Sequence, residues 1–272
     1  MTQPVFVLSD HTGITVESLT KALLGQFDGA DAHCVVYPFL DTPDKVADII
    51  REINQVGQAQ QVQPLVYSSM VDEGLRAQLL SCQARVFDIF DTFLPALSQS
   101  LHLPSGSHVG RAHGMGDSAT YDQRVAAVNF ALQFDDGARI KGLEQADLIL
   151  IGVSRSGKTP TCLYMAMQYK VRAANYPLTE EDLFAEHLPV PLRSLKAKLI
   201  GLDITPDRLH HIREERRARS HYADLAQCRR ETKAAKALYD NHQIPYISST
   251  DYSIEELATA ILQVRKVARV VQ

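Results

Sequence analysis

Apolar and polar positions along this chain switch repeatedly between a period of two and a period near 3.6. Pro4 to Ser9 (PVFVLS) is a short β-favouring run; the turn formers Asp10, His11, Thr12 and Gly13 follow it, and a helical pattern continues through Leu24. His33 to Phe39 predicts a second strand and Pro64 to Ser68 a third. Between them, Val46, Ile49, Ile50 and Ile53 recur at helical spacing within Pro43 to Val56. Strands that alternate with helices predict a parallel sheet covered on both faces.

The segment His102 to Ser118 (HLPSGSHVGRAHGMGDS) concentrates Gly, Ser, His and Pro without a periodic apolar face. It reads as a flexible entry segment, with an N-terminal α/β domain over 1–105 and a second domain over 106–272. Beyond it, Tyr121 to Phe134 predicts a helix with Val125, Val128 and Leu132 on one face. Ala146 to Val153 predicts a short apolar strand, Thr161 to Tyr169 a helix, and Lys198 to Ile204 another strand. Asp207 to Asn241 is helical in composition with a break near Ser220, and Ile244 to Ser248 is the last strand. Ser253 followed by Glu256 fits the capping box that starts a terminal helix. The fold class is α/β, as two units with mainly parallel sheets.

Composition narrows the function classes. The 272 residues are 45% hydrophobic and 22% charged, which suits a globular chain with a full core and excludes fibrous or wholly disordered readings. The longest apolar run, around Leu148 to Val153, falls far short of the roughly 20 residues that cross a bilayer, so no membrane partner is expected. Met1 to Asp10 lacks a basic segment followed by a long apolar one, which predicts a cytoplasmic protein. Cys34, Cys82, Cys162 and Cys228 lie far apart, as reduced thiols do, and match no zinc spacing. A net charge of -4 argues against nucleic-acid binding. Between Arg193 and Lys236, however, twelve Lys and Arg stand against six Asp and Glu, which favours an anionic ligand or acidic partner there.

One motif carries chemistry. Gly152, Val153, Ser154, Arg155, Ser156, Gly157, Lys158 and Thr159 match the phosphate-binding pattern G-x-x-x-x-G-K-[ST] at every fixed position, between a predicted strand and a predicted helix. The second unit is thereby expected to be P-loop kinase-like. Gly152 and Gly157 are expected to free the backbone so that successive N–H groups face one anion, with the helix N-terminus behind them. Lys158 is expected to supply a charge to the terminal phosphate, and the Thr159 hydroxyl can ligate a magnesium ion. Pro160 is tolerated because an early helical residue has no N–H partner to lose. The motif alone does not name the group transferred.

The loop continues as GVSRSGKTPTCLYMAMQYKVRAANYPL, Gly152 to Leu178, and this string resembles the bifunctional kinase and phosphorylase family that regulates pyruvate phosphate dikinase and phosphoenolpyruvate synthase. SDHTGIT (Ser9 to Thr15), FDDG (Phe134 to Gly137), IREERR (Ile212 to Arg217) and QCRRE (Gln227 to Glu231) resemble the same family, so the likeness spans nearly the whole chain. IREERR with the GKTPT form of the loop is similar to the synthase branch. The resemblance implies a cytoplasmic homodimer that uses ADP to phosphorylate a threonine of phosphoenolpyruvate synthase. It also implies the reverse, in which inorganic phosphate attacks the phosphothreonine and pyrophosphate leaves. The same chemistry on pyruvate phosphate dikinase, a P-loop small-molecule kinase and a non-catalytic nucleotide switch are the other readings.

Several further residues have two readings each. Arg155 either reaches the transferred phosphoryl group or faces solvent. Asp10 sits where open α/β sheets place ligands, or caps a helix. Asp135 and Asp136 suit a turn, or a magnesium and general-base role. Asp203 ends a strand-like run and imitates the acidic magnesium partner of many loop-containing enzymes. His108, Arg111 and His113 are phosphate or proton carriers, or simply solvated loop residues. Arg213, Arg216, Arg217, Arg219, Arg229 and Arg230 form a basic helical face that is solvated, or docks an acidic surface.

Overall fold

The computed structural model describes residues 2–106, 118–185, 187–218 and 220–264. The chain divides into two compact units, Met1–Gly116 and Asp117–Gln272.

The first unit runs β1 (Gln3–Leu8), α1 (Ile14–Leu24), β2 (Ala32–Tyr37), α2 (Pro43–Gln60), β3 (Leu65–Ser68), α3 (Glu73–Gln78), β4 (Arg85–Asp88) and α4 (Ile89–Leu101). Its four strands are all parallel, in the order β2-β1-β3-β4. Helix α2 forms where the spacing predicts. Thr42 caps it by accepting from Lys45 N, Pro43 opens it, and Val46, Ile49, Ile50 and Ile53 are buried against Phe6, Leu8 and Val66. The sequence pattern makes no assignment over α3, β4 and α4. Strand β4 is a four-residue edge strand with half its positions exposed, and α4 buries none of its residues, so neither carries a strong periodic signal.

The second unit runs α5 (Ser118–Gln133), β5 (Leu148–Gly152), α6 (Lys158–Tyr169), β6 (Ala173–Pro177), α7 (Glu180–Leu183), β7 (Leu199–Asp203), α8 (Pro206–Arg216), α9 (Leu225–Asn241), β8 (Tyr246–Ser248) and α10 (Ile254–Val264). The strand order β6-β5-β7-β8 repeats that of the first unit, again all parallel. All five β5 residues are buried. Ile149 and Ile151 pack with Leu209, Cys228 and Leu238 on one face, while Leu148 and Leu150 pack with Cys162, Met165 and Ile261 on the other. Each such side chain contributes about 1.5–3 kcal/mol on burial. A strand covered on both faces reads as a continuous apolar run, which is why the sequence reveals it.

Two local expectations hold and one is corrected. The helical stretch breaks after Arg216, with α9 starting at Leu225, and Ser253 and Glu256 bond reciprocally as a capping box. In α5 the buried side is Ala127, Phe130 and Ala131, whereas Val125 and Leu132 are exposed. Ala127 and Ala131 pack among Leu148, Leu150 and Met165, where small residues permit close approach. Strand β6 (AANYP), which the pattern does not reveal, is an edge strand, where a terminal proline costs no ladder bond. Among the described residues no helix is long and apolar enough to cross a membrane. All four cysteines are free.

Candidate active site

In this strand order the chain leaves β5 toward β6 and returns to β7 on the other side of β5, so the carboxyl ends of β5 and β7 flank the crevice where open α/β sheets bind ligands. Residues Val153 to Gly157 form the turn between β5 and α6. Gly157 is the N-cap of α6 at φ 90°, with no side-chain cap and open space where a Cβ would stand. Arg155, exposed, also has a left-handed φ of 76°. Gly152 has no positive φ, contrary to the expectation that both glycines free the backbone. A Cβ there would lie 2.8 Å from the Leu202 carbonyl oxygen and 3.2 Å from Tyr239 Oη, so this glycine is required by strand packing.

Lys158, the first residue of α6, is 4% exposed, and its Nζ donates to the carbonyls of Gly152 at 3.0 Å and Val153 at 2.9 Å. Burial lowers its pKa to about 8, against the opposing pull of Asp136. The Ser156 hydroxyl is buried without a hydrogen-bond partner in the same turn.

Thr159 belongs to a polar triangle. Its Oγ1 donates to Asp135 Oδ1 at 2.8 Å, and Asn175 Nδ2 donates to Thr159 Oγ1 at 2.9 Å and to the same Asp135 oxygen. Asp135 reaches this position because the turn after α5 docks on the edge strand β6. Asn175 N donates to the Phe134 carbonyl at 3.0 Å, and Gly137 N donates to the Asn175 carbonyl at 3.3 Å. Asp136, exposed at φ 49°, and Gly137, at φ 68°, form the bend of this turn. Asp203, at the end of β7, has no such contact with Thr159. Burial raises its pKa, and its carbonyl accepts from Ser249 N. The acidic neighbour of Thr159 is therefore Asp135, which precedes β5 in the chain.

Arg213 supports the loop from behind. It is 1% exposed, so the expectation that it lies on a solvated basic face is wrong. Its Nη2 donates to the Ser154 carbonyl at 3.1 Å and to Glu231 at 2.7 Å, its Nη1 donates to the Tyr222 carbonyl, and its guanidinium lies over the Tyr222 ring. The Tyr222 hydroxyl donates to Ser154 Oγ at 2.9 Å. Arg216, Arg217, Arg229 and Arg230 are exposed, with Arg230 paired to Glu180. Asp10 lies in the first unit, where its Oδ2 accepts from the backbone N–H groups of Val71 and Asp72, and Gly13, not Asp10, is the N-cap of α1. His108, Arg111, His113 and Arg219 lie outside the described residues.

The model of one family, kinase/pyrophosphorylase, matches residues 5–262 of this chain. The chain belongs to that family. A relative in Marinobacter nauticus is 45% identical over 262 residues, covering 96% of this chain and 97% of its own. Relatives in Legionella pneumophila and Pseudomonas aeruginosa are each 45% identical over 269 residues, covering 99% of this chain and 99% and 98% of their own. All three carry the provisional name phosphoenolpyruvate synthase regulatory protein.

In this kinase/pyrophosphorylase chain three of the four short strings singled out in the sequence meet around the Gly152–Thr159 turn, whereas SDHTGIT lies in the first unit. FDDG supplies Asp135, the loop supplies Thr159, and IREERR and QCRRE join through Arg213 and Glu231. Asn175, Tyr222 and Tyr239 were not legible as site residues. The available signal for Asn175 was an amide among alanines in a segment that proves to be a buried strand.

Proposed function

We propose that this protein transfers the β-phosphoryl group of ADP to a threonine of phosphoenolpyruvate synthase and removes it again with inorganic phosphate, both at the Gly152–Thr159 turn. The observation that carries this reading is the buried Lys158 ammonium at the N-terminus of α6, beside the Thr159–Asp135 pair. That arrangement suits phosphate binding at a helix N-terminus, with oxygen atoms that suit a cation next to it. The names of the relatives support phosphoenolpyruvate synthase as the target.

The residues present fit the groups required. The unpartnered Ser156 hydroxyl and the open space at Gly157 suit phosphate oxygens. The hard oxygens of Thr159 and Asp135 suit a magnesium ion, which when bound offsets charge on the phosphoryl oxygens. In the forward direction the threonine oxygen bonds to the β-phosphorus of ADP, the bridging oxygen leaves with AMP, and the hydroxyl proton passes to a carboxylate. Asp136, exposed on the turn beside Asp135, is assigned that base role. Arg155, exposed on the loop, stabilises the developing charge. In reverse, an oxygen of inorganic phosphate attacks the phosphothreonine phosphorus, and pyrophosphate and free threonine result. Lys158 serves both directions. The protein acts in the cytoplasm as a homodimer.

ADP labelled in its β-phosphate, incubated with and without the synthase, tests this. Label on a synthase threonine, with AMP formed and both lost in Lys158→Ala, is expected. Label on pyruvate phosphate dikinase alone would move the target, and label on neither would overturn the reading. A Lys158→Ala variant that keeps full phosphorolysis would contradict a shared site.

A further inference from the structure

Asn175 is 2% exposed in the middle of β6, and its side-chain Oδ1 is buried without a hydrogen-bond partner. An unsatisfied buried carbonyl of this kind costs about 1–3 kcal/mol. Its neighbours Ala173 and Ala174 show that this strand accepts small apolar residues, and an alanine here would avoid the cost. What the amide adds is on its other end, where Nδ2 donates to both Thr159 Oγ1 and Asp135 Oδ1.

The main chain of Asn175 already docks the turn, through Phe134 and Gly137. The side chain is therefore not needed to bring Asp135 near. It is needed to fix which way the carboxylate and the hydroxyl face. We propose that Asn175 is the positioning residue of a divalent-cation site made by Thr159 and Asp135, an inference that rests on the phosphoryl-transfer reading above. By engaging Oδ1 of Asp135, the amide leaves Oδ2 as the oxygen available to a cation. It also holds the Thr159 oxygen beside it. Partners that orient metal ligands in this way typically change affinity 10–100-fold when removed.

The test uses the full chain with ADP and manganese(II), titrated by the loss of the free-ion resonance signal, alongside thermal unfolding in chelator and in manganese. Asn175→Ala keeps the main-chain bonds and is expected to fold, binding manganese 10–100-fold more weakly. Asn175→Asp is nearly isosteric but turns a third oxygen toward Asp135 and Thr159. It is expected to unfold at lower temperature than the parent in chelator, and to regain that loss when manganese is added. A merely structural amide predicts loss in both variants with no recovery. Parent-like manganese affinity in Asn175→Ala, or no recovery in Asn175→Asp, would overturn the role of Asn175 while leaving the transfer reading intact. A parent protein that binds ADP but no manganese would overturn the cation site itself, and this inference with it.

Discussion

Arg213 and Glu231, eighteen residues apart on α8 and α9, form a 2.7 Å ion pair whose guanidinium also holds the Ser154 carbonyl of the Gly152–Thr159 turn. Gln227 donates to the other Glu231 oxygen at 2.8 Å, so both carboxylate oxygens are engaged. Removing one partner of such a buried pair strands a charge, whereas replacing both with apolar groups is far less costly. Glu231→Gln is expected to destabilise the protein by about 3–5 kcal/mol in urea unfolding. The double variant Arg213→Met with Glu231→Met should lose much less than the two single losses added together. Because the double variant no longer anchors Ser154, its ADP affinity should still fall.

Lys158 makes stability depend on pH. Below about pH 8 it is charged in the folded and unfolded states alike, and burying that charge costs stability in full. Between about pH 8 and the usual lysine value of 10.5 the folded protein sheds the proton first, so stability rises with pH across that window. Lys158→Met should abolish the rise, as read by denaturant unfolding on either side of that window without ADP. ADP binding has the opposite sign, since an anion favours the charged amine. ADP affinity of the parent should weaken above about pH 8, as read by calorimetry.

Two glycines meet Tyr239 in different ways. A Cβ at Gly201 would lie 2.8 Å from the Tyr239 ring, whereas one at Gly152 would lie 2.8 Å from the backbone oxygen of Leu202. Both alanine variants should lose about 1–3 kcal/mol or more through overpacking. Adding Tyr239→Leu should recover stability in Gly201→Ala but not in Gly152→Ala, because a backbone carbonyl in the sheet cannot step aside. Thermal unfolding of the four variants checks this.

Arg155 holds a left-handed φ of 76° that a side-chain-bearing residue adopts only at a cost of about 1–3 kcal/mol. Arg155→Gly should therefore be more stable than Arg155→Ala. If the guanidinium stabilises the transferred phosphoryl group, both should lose about 10³-fold or more in kcat alike. Equal stability of the two variants would mean that this conformation carries no strain, and unchanged turnover would remove Arg155 from the chemistry.

Local information explains what was readable. The buried face of α2, the apolar run of β5 and the Gly-Lys-Thr turn that opens α6 are each set by residues within one or two turns of one another. Val125 and Leu132 misled because α5 has apolar residues all round, and the side it buries depends on where small alanines let α6 and β6 approach. Strands β4 and β6 are short edge strands, whose half-exposed or small residues leave no period to detect.

The sequence by itself determined the α/β alternation, the strand-turn-helix at Gly152 to Thr159 and the residue types that suit phosphate. These are local properties of propensity, spacing and backbone freedom. Which carboxylate stands beside Thr159 was a tertiary matter: Asp135 and Asp203 are both candidates along the chain, and the docking of the Asp135 turn on the edge of β6 separates them. The same is true of Arg213, which along the chain reads as one member of a basic helical face. Its burial follows from the packing of α8 on α9, which closes a distance of 59 residues between Arg213 and Ser154. Hydrogen bonds and ion pairs of that reach depend on a fold already formed, and no local pattern encodes their partners.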